Sequence, residues 1–289
     1  VMSLDSYIGA IDKNLLEPSE ELCKMVELKR PILTNRELDI LCNLRYKGFN
    51  TRKLDMTYPV SDGTEGLGKA LARLCRDAEA AVDEGCNYIV LSDRGVDAEH
   101  APIPSLLATS AVHHHLIHCK KRVQTALIVE TGDAREIMHF ALLVGYGASA
   151  VNPYLAFAII NKLVRDKELQ LDFATAQKNF IKAVDKGLLK VMSKMGISTL
   201  TSYKGAQLFE AIGLDEELIR QYFGQTTSKI GGLTLTELNK GLLEVHKEAY
   251  SEDFDTEALL GHDGVYSFRK DGERHAWNPE TITALQLAT

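Results

Sequence analysis

After Thr51 the apolar positions switch repeatedly between the period of a strand and that of a helix. Leu54-Asp-Met-Thr-Tyr58 is short and alternating, as in a half-buried strand. After a turn at Asp62-Gly63, Leu67, Ala70, Leu71, Leu74, Ala78 and Val82 recur at helical spacing, and Gly85 stops the helix they predict. Tyr88-Ile-Val-Leu91, bounded by Gly85 and by Ser92-Asp-Arg-Gly95, predicts a buried strand, and a helix is expected over 105–119. A further strand is predicted over 123–129, ending in Glu130-Thr-Gly132. Asp133 with Glu136 then makes a capping-box-like start to a helix whose inner face is Ile137, Phe140, Ala141 and Val144. Gly145-Tyr-Gly147 ends that helix, and residues 148–151 give another strand running into Asn152-Pro153.

Successive strand–loop–helix units of about 30 residues imply parallel strands joined by helical crossovers. After Leu163 the pattern is mostly helical. Phe180, Ile181, Val184, Leu188, Val191 and Met195 trace a long helix ending at Gly196. Two more helices are expected, one over 206–212 and one opened by the Thr234/Glu237 pair before Leu238, Leu242 and Val245. Residues 1–50, rich in charge and turn formers, read as a wrapping segment or linker with one helix near 35–44 and no core of its own. Residues 51–250 form the α/β domain, and 251–289 a C-terminal extension that is β-like around 265–276. The expected fold is α/β, with parallel βα units forming an incomplete or degenerate TIM-barrel-like domain and a helical C-terminal half.

Composition narrows the function classes. The 289 residues are 45% hydrophobic and 25% charged, with 33 basic against 40 acidic side chains and a net charge of −7. That balance argues against disorder and against a general nucleic-acid binder. Charged residues interrupt every apolar stretch before it could span a membrane. The five cysteines (Cys23, Cys42, Cys75, Cys86, Cys119) are scattered and never form C-x-x-C, which suits reduced thiols in the cytoplasm better than zinc or iron–sulfur ligation. The start, Val1 before Met2, predicts a piece of a longer chain.

Two constellations could carry chemistry. His113-His-His115 precedes His118, and His114 and His118 share a helical face four residues apart, so they are candidate metal ligands. A general-base Glu between them is missing. In parallel α/β folds ligands sit at the carboxyl ends of the strands, which here hold Asp93, Arg94, Glu130, Asn152 and Tyr154. These could bind a small molecule or tie the loops together. Gly63-Thr-Glu-Gly-Leu-Gly68 matches no phosphate-loop order, and Lys186, Lys190 and Lys194 read as a solvated stripe.

A family resemblance emerges from longer blocks. Pro31-Ile-Leu-Thr-Asn35, Leu91-Ser-Asp-Arg-Gly95, Ala101-Pro-Ile-Pro104 and Ala111-Val-His-His-His-Leu116 occur in order. Val129-Glu-Thr-Gly-Asp-Ala-Arg-Glu136, Val151-Asn-Pro-Tyr154, Tyr203-Lys-Gly-Ala-Gln-Leu-Phe-Glu-Ala-Ile-Gly213 and Trp277-Asn-Pro-Glu280 follow. Together they resemble the central domain of the glutamate synthase large (α) subunit, from about Asn14 to about Leu285. The resemblance implies a connector between an amidotransferase domain that releases ammonia from glutamine and an FMN domain that reduces the imine of 2-oxoglutarate, with a 3Fe–4S cluster relaying electrons. It implies no catalytic residue and no cofactor in this chain, and it places Thr34 and Asn35 near the entry of an ammonia tunnel. The partners it implies are the amidotransferase and FMN domains of the same parent chain, with self-association of the isolated domain through the surfaces they leave bare. Two rival readings are a stand-alone α/β-barrel enzyme binding a small anionic ligand at the strand ends, and a His-rich metal-binding domain.

Overall fold

Residues 1–50 contribute β1 (Ser6–Ile8), β2 (Val26–Leu28) and α1 (Asn35–Cys42). The βα units follow as β3 (Thr51–Asp55), β4 (Thr57–Pro59), α2 (Gly66–Asp83), β5 (Tyr88–Ser92), β6 (His100–Pro102), α3 (Ser105–His118), β7 (Ala126–Glu130), α4 (Ile137–Gly145) and β8 (Ala150–Asn152). Then come α5 (Tyr154–Arg165), α6 (Phe173–Met195), α7 (Leu200–Tyr203), β9 (Glu210–Leu214), α8 (Glu216–Tyr222), β10 (Thr227–Leu233), α9 (Leu235–Ala249) and α10 (Pro279–Ala288). The computed structural model describes residues 2–11, 16–17, 19–44, 46, 48–251, 268–270 and 272–289. These fall into two units, 1–247 and 248–289, and α10 with its Asn278 cap is the regular element of the second.

The central sheet has the order β3-β5-β7-β8, every pair parallel, as the βα repeats require. A parallel sheet is normally buried on both faces, which is why β5 and β7 read as unbroken apolar runs. On one face Ile89, Leu91, Leu127, Val129 and Val151 meet Leu71 and Leu74 of α2, Val112 and Leu116 of α3, Phe140 of α4 and Leu188 of α6. On the other, Tyr88, Val90, Ala126, Ile128 and Ala150 meet Ile8, Leu28, Leu33, Leu38 and Leu41. The N-terminal segment is therefore the second layer of the sheet. It also lengthens the sheet: Ile32 bridges in parallel to Val151, with Val151 N–H donating to the Pro31 carbonyl at 2.7 Å.

The α/β class and the parallel units appear as expected, in an open sheet of four strands. Several local expectations change. Residues 206–212 are not helical: Gly205 and Gln207 adopt positive φ (71° and 53°), and the chain then extends into β9, which pairs in parallel with β10. Ile137 is 42% exposed, leaving Phe140, Ala141 and Val144 as the inner face of α4. The N-cap of α4 is Glu136, whose N–H donates to His139 Nδ1 at 3.3 Å, while Asp133 instead accepts from Ser105 N–H at the start of α3. Met195 and Val245 are likewise exposed. Of the β-like stretch expected over 265–276, residues 265–267 and 271 lie outside the described residues, and the remainder holds no strand.

Because α1 closes one sheet face, Leu38→Ala is expected to destabilise unit 1 by about 2–4 kcal/mol. Urea unfolding measures this, and an unchanged midpoint would mean that α1 does not cover that face.

Candidate functional site

The carboxyl ends of the strands bring their polar residues into register. Asp55 lies opposite Ser92, Ser92 opposite Glu130, and Glu130 opposite Asn152. Ser92 Oγ donates to Glu130 at 2.6 Å, and Lys53 and Arg94 form ion pairs with the same carboxylate. Burial opposes ionisation of Glu130, but the hydrogen bonds from Lys53, Ser92 and Arg94 together hold its pKa below the ordinary value. Asp93 accepts from Thr131 Oγ1 at 2.6 Å, from Gly132 N–H at 2.9 Å and from the Tyr154 hydroxyl. There burial prevails over the hydrogen bonds and raises the carboxyl pKa. The Arg94 guanidinium lies 4.1 Å from the centre of the Tyr154 ring, a cation–π contact that links the two carboxylate clusters.

The same end carries the N-terminal segment. Asn152, fully buried, donates from Nδ2 to the Leu33 carbonyl at 2.9 Å and to Asn35 Oδ1 at 3.0 Å. Its Oδ1 is buried with no partner among the described residues. Thr34 caps α1 through a capping box, with Oγ1 accepting from Glu37 N–H at 3.2 Å and the Glu37 carboxylate accepting from Thr34 N–H at 2.7 Å. All five strand-end candidates thus meet, and Thr34 and Asn35 sit beside them. Lys53, Ser92 and Thr131 belong to the same network. Ser92 and Thr131 lie in the quoted strand-end segments, whereas sequence spacing gave no sign of Lys53, because its membership depends on strand register.

The histidines lie at the opposite edge, where α3 ends and β7 begins. His113, His114 and His118 line a cavity of about 430 Å³ together with Tyr146, Phe209, Arg220 and Phe223. His114 Nδ1 is held by the Ser110 carbonyl at 2.9 Å, and His118 is exposed. The group with metal-ligand chemistry among the described residues is a different one, Glu79, His115 and Cys119. Its carboxylate is already shared between His115 Nε2 at 2.9 Å and Lys121 Nζ at 2.8 Å, and Lys121 also pairs with Asp83. That network ties α2 to α3. Lys186, Lys190 and Lys194 are exposed on α6.

The fold and the closed strand-end cluster define a parallel α/β domain whose ligand-binding edge is filled by its own N-terminal segment. The family described as "Glutamate synthase central domain" matches residues 1–215, and the chain belongs to that family. It is 44% identical to the glutamate synthase [NADH] of Schizosaccharomyces pombe, with 100% of this chain aligned to 14% of that protein. The glutamate synthase [NADPH] large chain of Bacillus subtilis is 38% identical over 100% of this chain and 18% of its own length. The ferredoxin-dependent, chloroplastic enzyme of Spinacia oleracea is 42% identical over the same shares. The chain thus spans under a fifth of these relatives. Among solved structures, the flavin-binding domain of baker's yeast flavocytochrome b2 aligns with 55% of this chain and 40% of its own, at 16% identity and a TM-score of 0.38.

The cofactors implied for the parent do not fit the residues present. A 3Fe–4S cluster needs converging thiolates, whereas the one metal-compatible group among the described residues contains a single cysteine. A flavin phosphate would sit at the strand ends, where Leu33 and Asn35 are bonded to Asn152.

Glu130→Gln leaves Lys53 and Arg94 without their buried partner and is expected to cost about 1–3 kcal/mol, read by thermal or urea unfolding. A neutral result would remove Glu130 from its tying role. A second expectation concerns His113, whose pKa falls from 6.5 to about 3, chiefly through burial and then through the charges of Arg122, His114 and Lys204. The folded value lies below the unfolded one, so the stabilisation is present above about pH 6.5 and drains as pH falls toward about 3. Urea midpoints at about pH 7 and about pH 5 should separate in the wild type and converge in His113→Gln.

Proposed function

We propose that this chain is the connecting domain of a glutamate synthase polypeptide, joining a glutamine amidotransferase domain to an FMN synthase domain and forming part of the ammonia tunnel wall. The observation that carries this reading is the family match combined with a strand-end site bonded within itself. Asp93 and Glu130 each accept several hydrogen bonds or ion pairs from neighbouring side chains and backbone, so the edge that holds substrates in related architectures here holds the chain's own residues 33–35. The parent reaction, glutamine plus 2-oxoglutarate and reductant giving two glutamates, then belongs to neighbouring domains, and this domain is inactive alone.

Thr34, Asn35 and Asn152 are our candidates for the tunnel wall. The unpartnered Oδ1 of Asn152 supports the assignment, because a buried acceptor suits a small neutral N–H donor such as ammonia. The exposed Ile137, Met138, Leu155 and Ile159 support neighbouring domains as partners, and they favour self-association when those domains are absent. No helix among the described residues is long and apolar enough to cross a membrane. We place the chain in the cytoplasm on its dispersed, unpaired cysteines.

Thr34→Val in the full-length parent enzyme tests the tunnel role. The expected result is more glutamine hydrolysed per glutamate formed from 2-oxoglutarate, with Thr34→Ser, which keeps the helix cap, retaining the wild-type ratio. An unchanged ratio in Thr34→Val would sink the tunnel role and leave the connecting role standing.

A further inference from the structure

The cavity between the ends of α3, α4 and α8 carries no acidic side chain in its lining. Arg220 supplies a positive charge, and three imidazoles add ring nitrogens. Behind it stand two more cations. Arg122 donates to His113 Nδ1 at 2.8 Å, to the Thr125 carbonyl at 2.8 Å and to the Gly147 carbonyl at 2.7 Å, all of them uncharged acceptors. Lys204 lies close enough to both Arg122 and His113 to affect their electrostatics. Among the described residues no carboxylate pairs with either cation. Burial, and for Lys204 also the Arg122 charge, brings Lys204 down to about 8 and Arg122 to about 10. Neighbouring buried charges of one sign are unfavourable unless something of opposite sign joins them.

The hydrogen bonds also fix the tautomers of two of the imidazoles. A guanidinium can only donate, so His113 Nδ1 is the acceptor and the ring proton sits on Nε2. The Nδ1 edge is turned toward Gly147, where a Cβ would lie 2.2 Å from it. The Nε2–H edge is therefore the one left for the cavity, polarised by the Arg122 charge behind it. His114 has the reverse arrangement, with Nδ1–H donating to the Ser110 carbonyl. The aromatic wall is built from Tyr146, which stacks on Phe209 at 6.1 Å and meets Phe223 edge-on at 5.4 Å.

We propose that this cavity binds a small organic anion, its carboxylate or phosphate group received by His113 Nε2–H, His118 and Arg220 and its apolar part resting on Tyr146, Phe209 and Phe223. A volume of about 430 Å³ suits a metabolite-sized molecule. The site lies at the amino-terminal edge of the sheet, away from residues 33–35. It does not depend on the tunnel assignment.

Equilibrium dialysis of radiolabelled benzoate and inorganic phosphate at fixed ionic strength tests this, with the 289-residue chain and with the full-length parent enzyme. The expected result is saturable binding of at least one of the two anions by both proteins. Arg220→Ala, at an exposed position that leaves the fold intact, should weaken it on the order of tenfold, the effect of one charge-assisted hydrogen bond. Lys186→Ala, in the exposed stripe on α6, should leave it unchanged. Absence of saturable binding, or equal loss in both variants, would overturn the proposal. Binding by the chain that disappears in the parent enzyme would also overturn it, because the cations would then be matched by a carboxylate of a neighbouring domain.

Discussion

An open parallel sheet has two apolar faces, and this molecule is organised around covering both. Helices α2, α3, α4 and α6 cover the first, as the βα repeat provides automatically. Nothing in the repeat covers the second. Val90 and Ile128 are fully buried because Ile8 of β1, Leu28 of β2, Leu33, and Leu38 and Leu41 of α1 are laid across them. In a closed barrel the opposite strands would fill that space. Here the N-terminal segment does so, and it pairs with β8 at Ile32 as it crosses.

That placement determines what the carboxyl edge can do. The segment passes over the strand ends at Leu33 to Asn35, where Asn152 binds it from a fully buried position. The acidic groups beside it are matched: Glu130 by Lys53 and Arg94, Asp93 by hydroxyl and backbone donors. The opposite edge has the inverse arrangement, with Arg122 and Lys204 set among neutral acceptors and imidazoles. One edge is electrostatically closed and the other open, and the chemistry available to each follows from that difference.

Much of this was legible in the sequence. The β5 and β7 runs and the α2 heptad-like face could be read because burial on those elements follows their own period. The five strand-end residues were legible for a related reason, since each lies within three residues of the end of an apolar run. Their partners were not: Lys53 joins Glu130 two strands away, which only the register reveals. The second layer was hidden because Ile8, Leu28 and Leu33 have no common spacing and meet only through the sheet. Residues 206–212 misled because Leu208, Phe209 and Ile212 fit a helical period, while Gly205 and Gln207 turn the backbone the other way. The histidine run was conspicuous, yet its meaning rests on Arg122 and Lys204, which only the fold brings beside it.

The claim most open to direct test is that residues 1–50 are a structural layer of the sheet and not a detachable linker. Amide hydrogen exchange on a chain beginning at Thr51 measures it at Val90 and Ile128, whose side chains face that layer, against Leu71 and Leu74 in α2. The account predicts that protection of the β5 and β7 amides collapses together with that of the helices packed behind them, because a sheet bare on one face loses its core. Protection retained at Val90 and Ile128 at the level of the intact chain would contradict it.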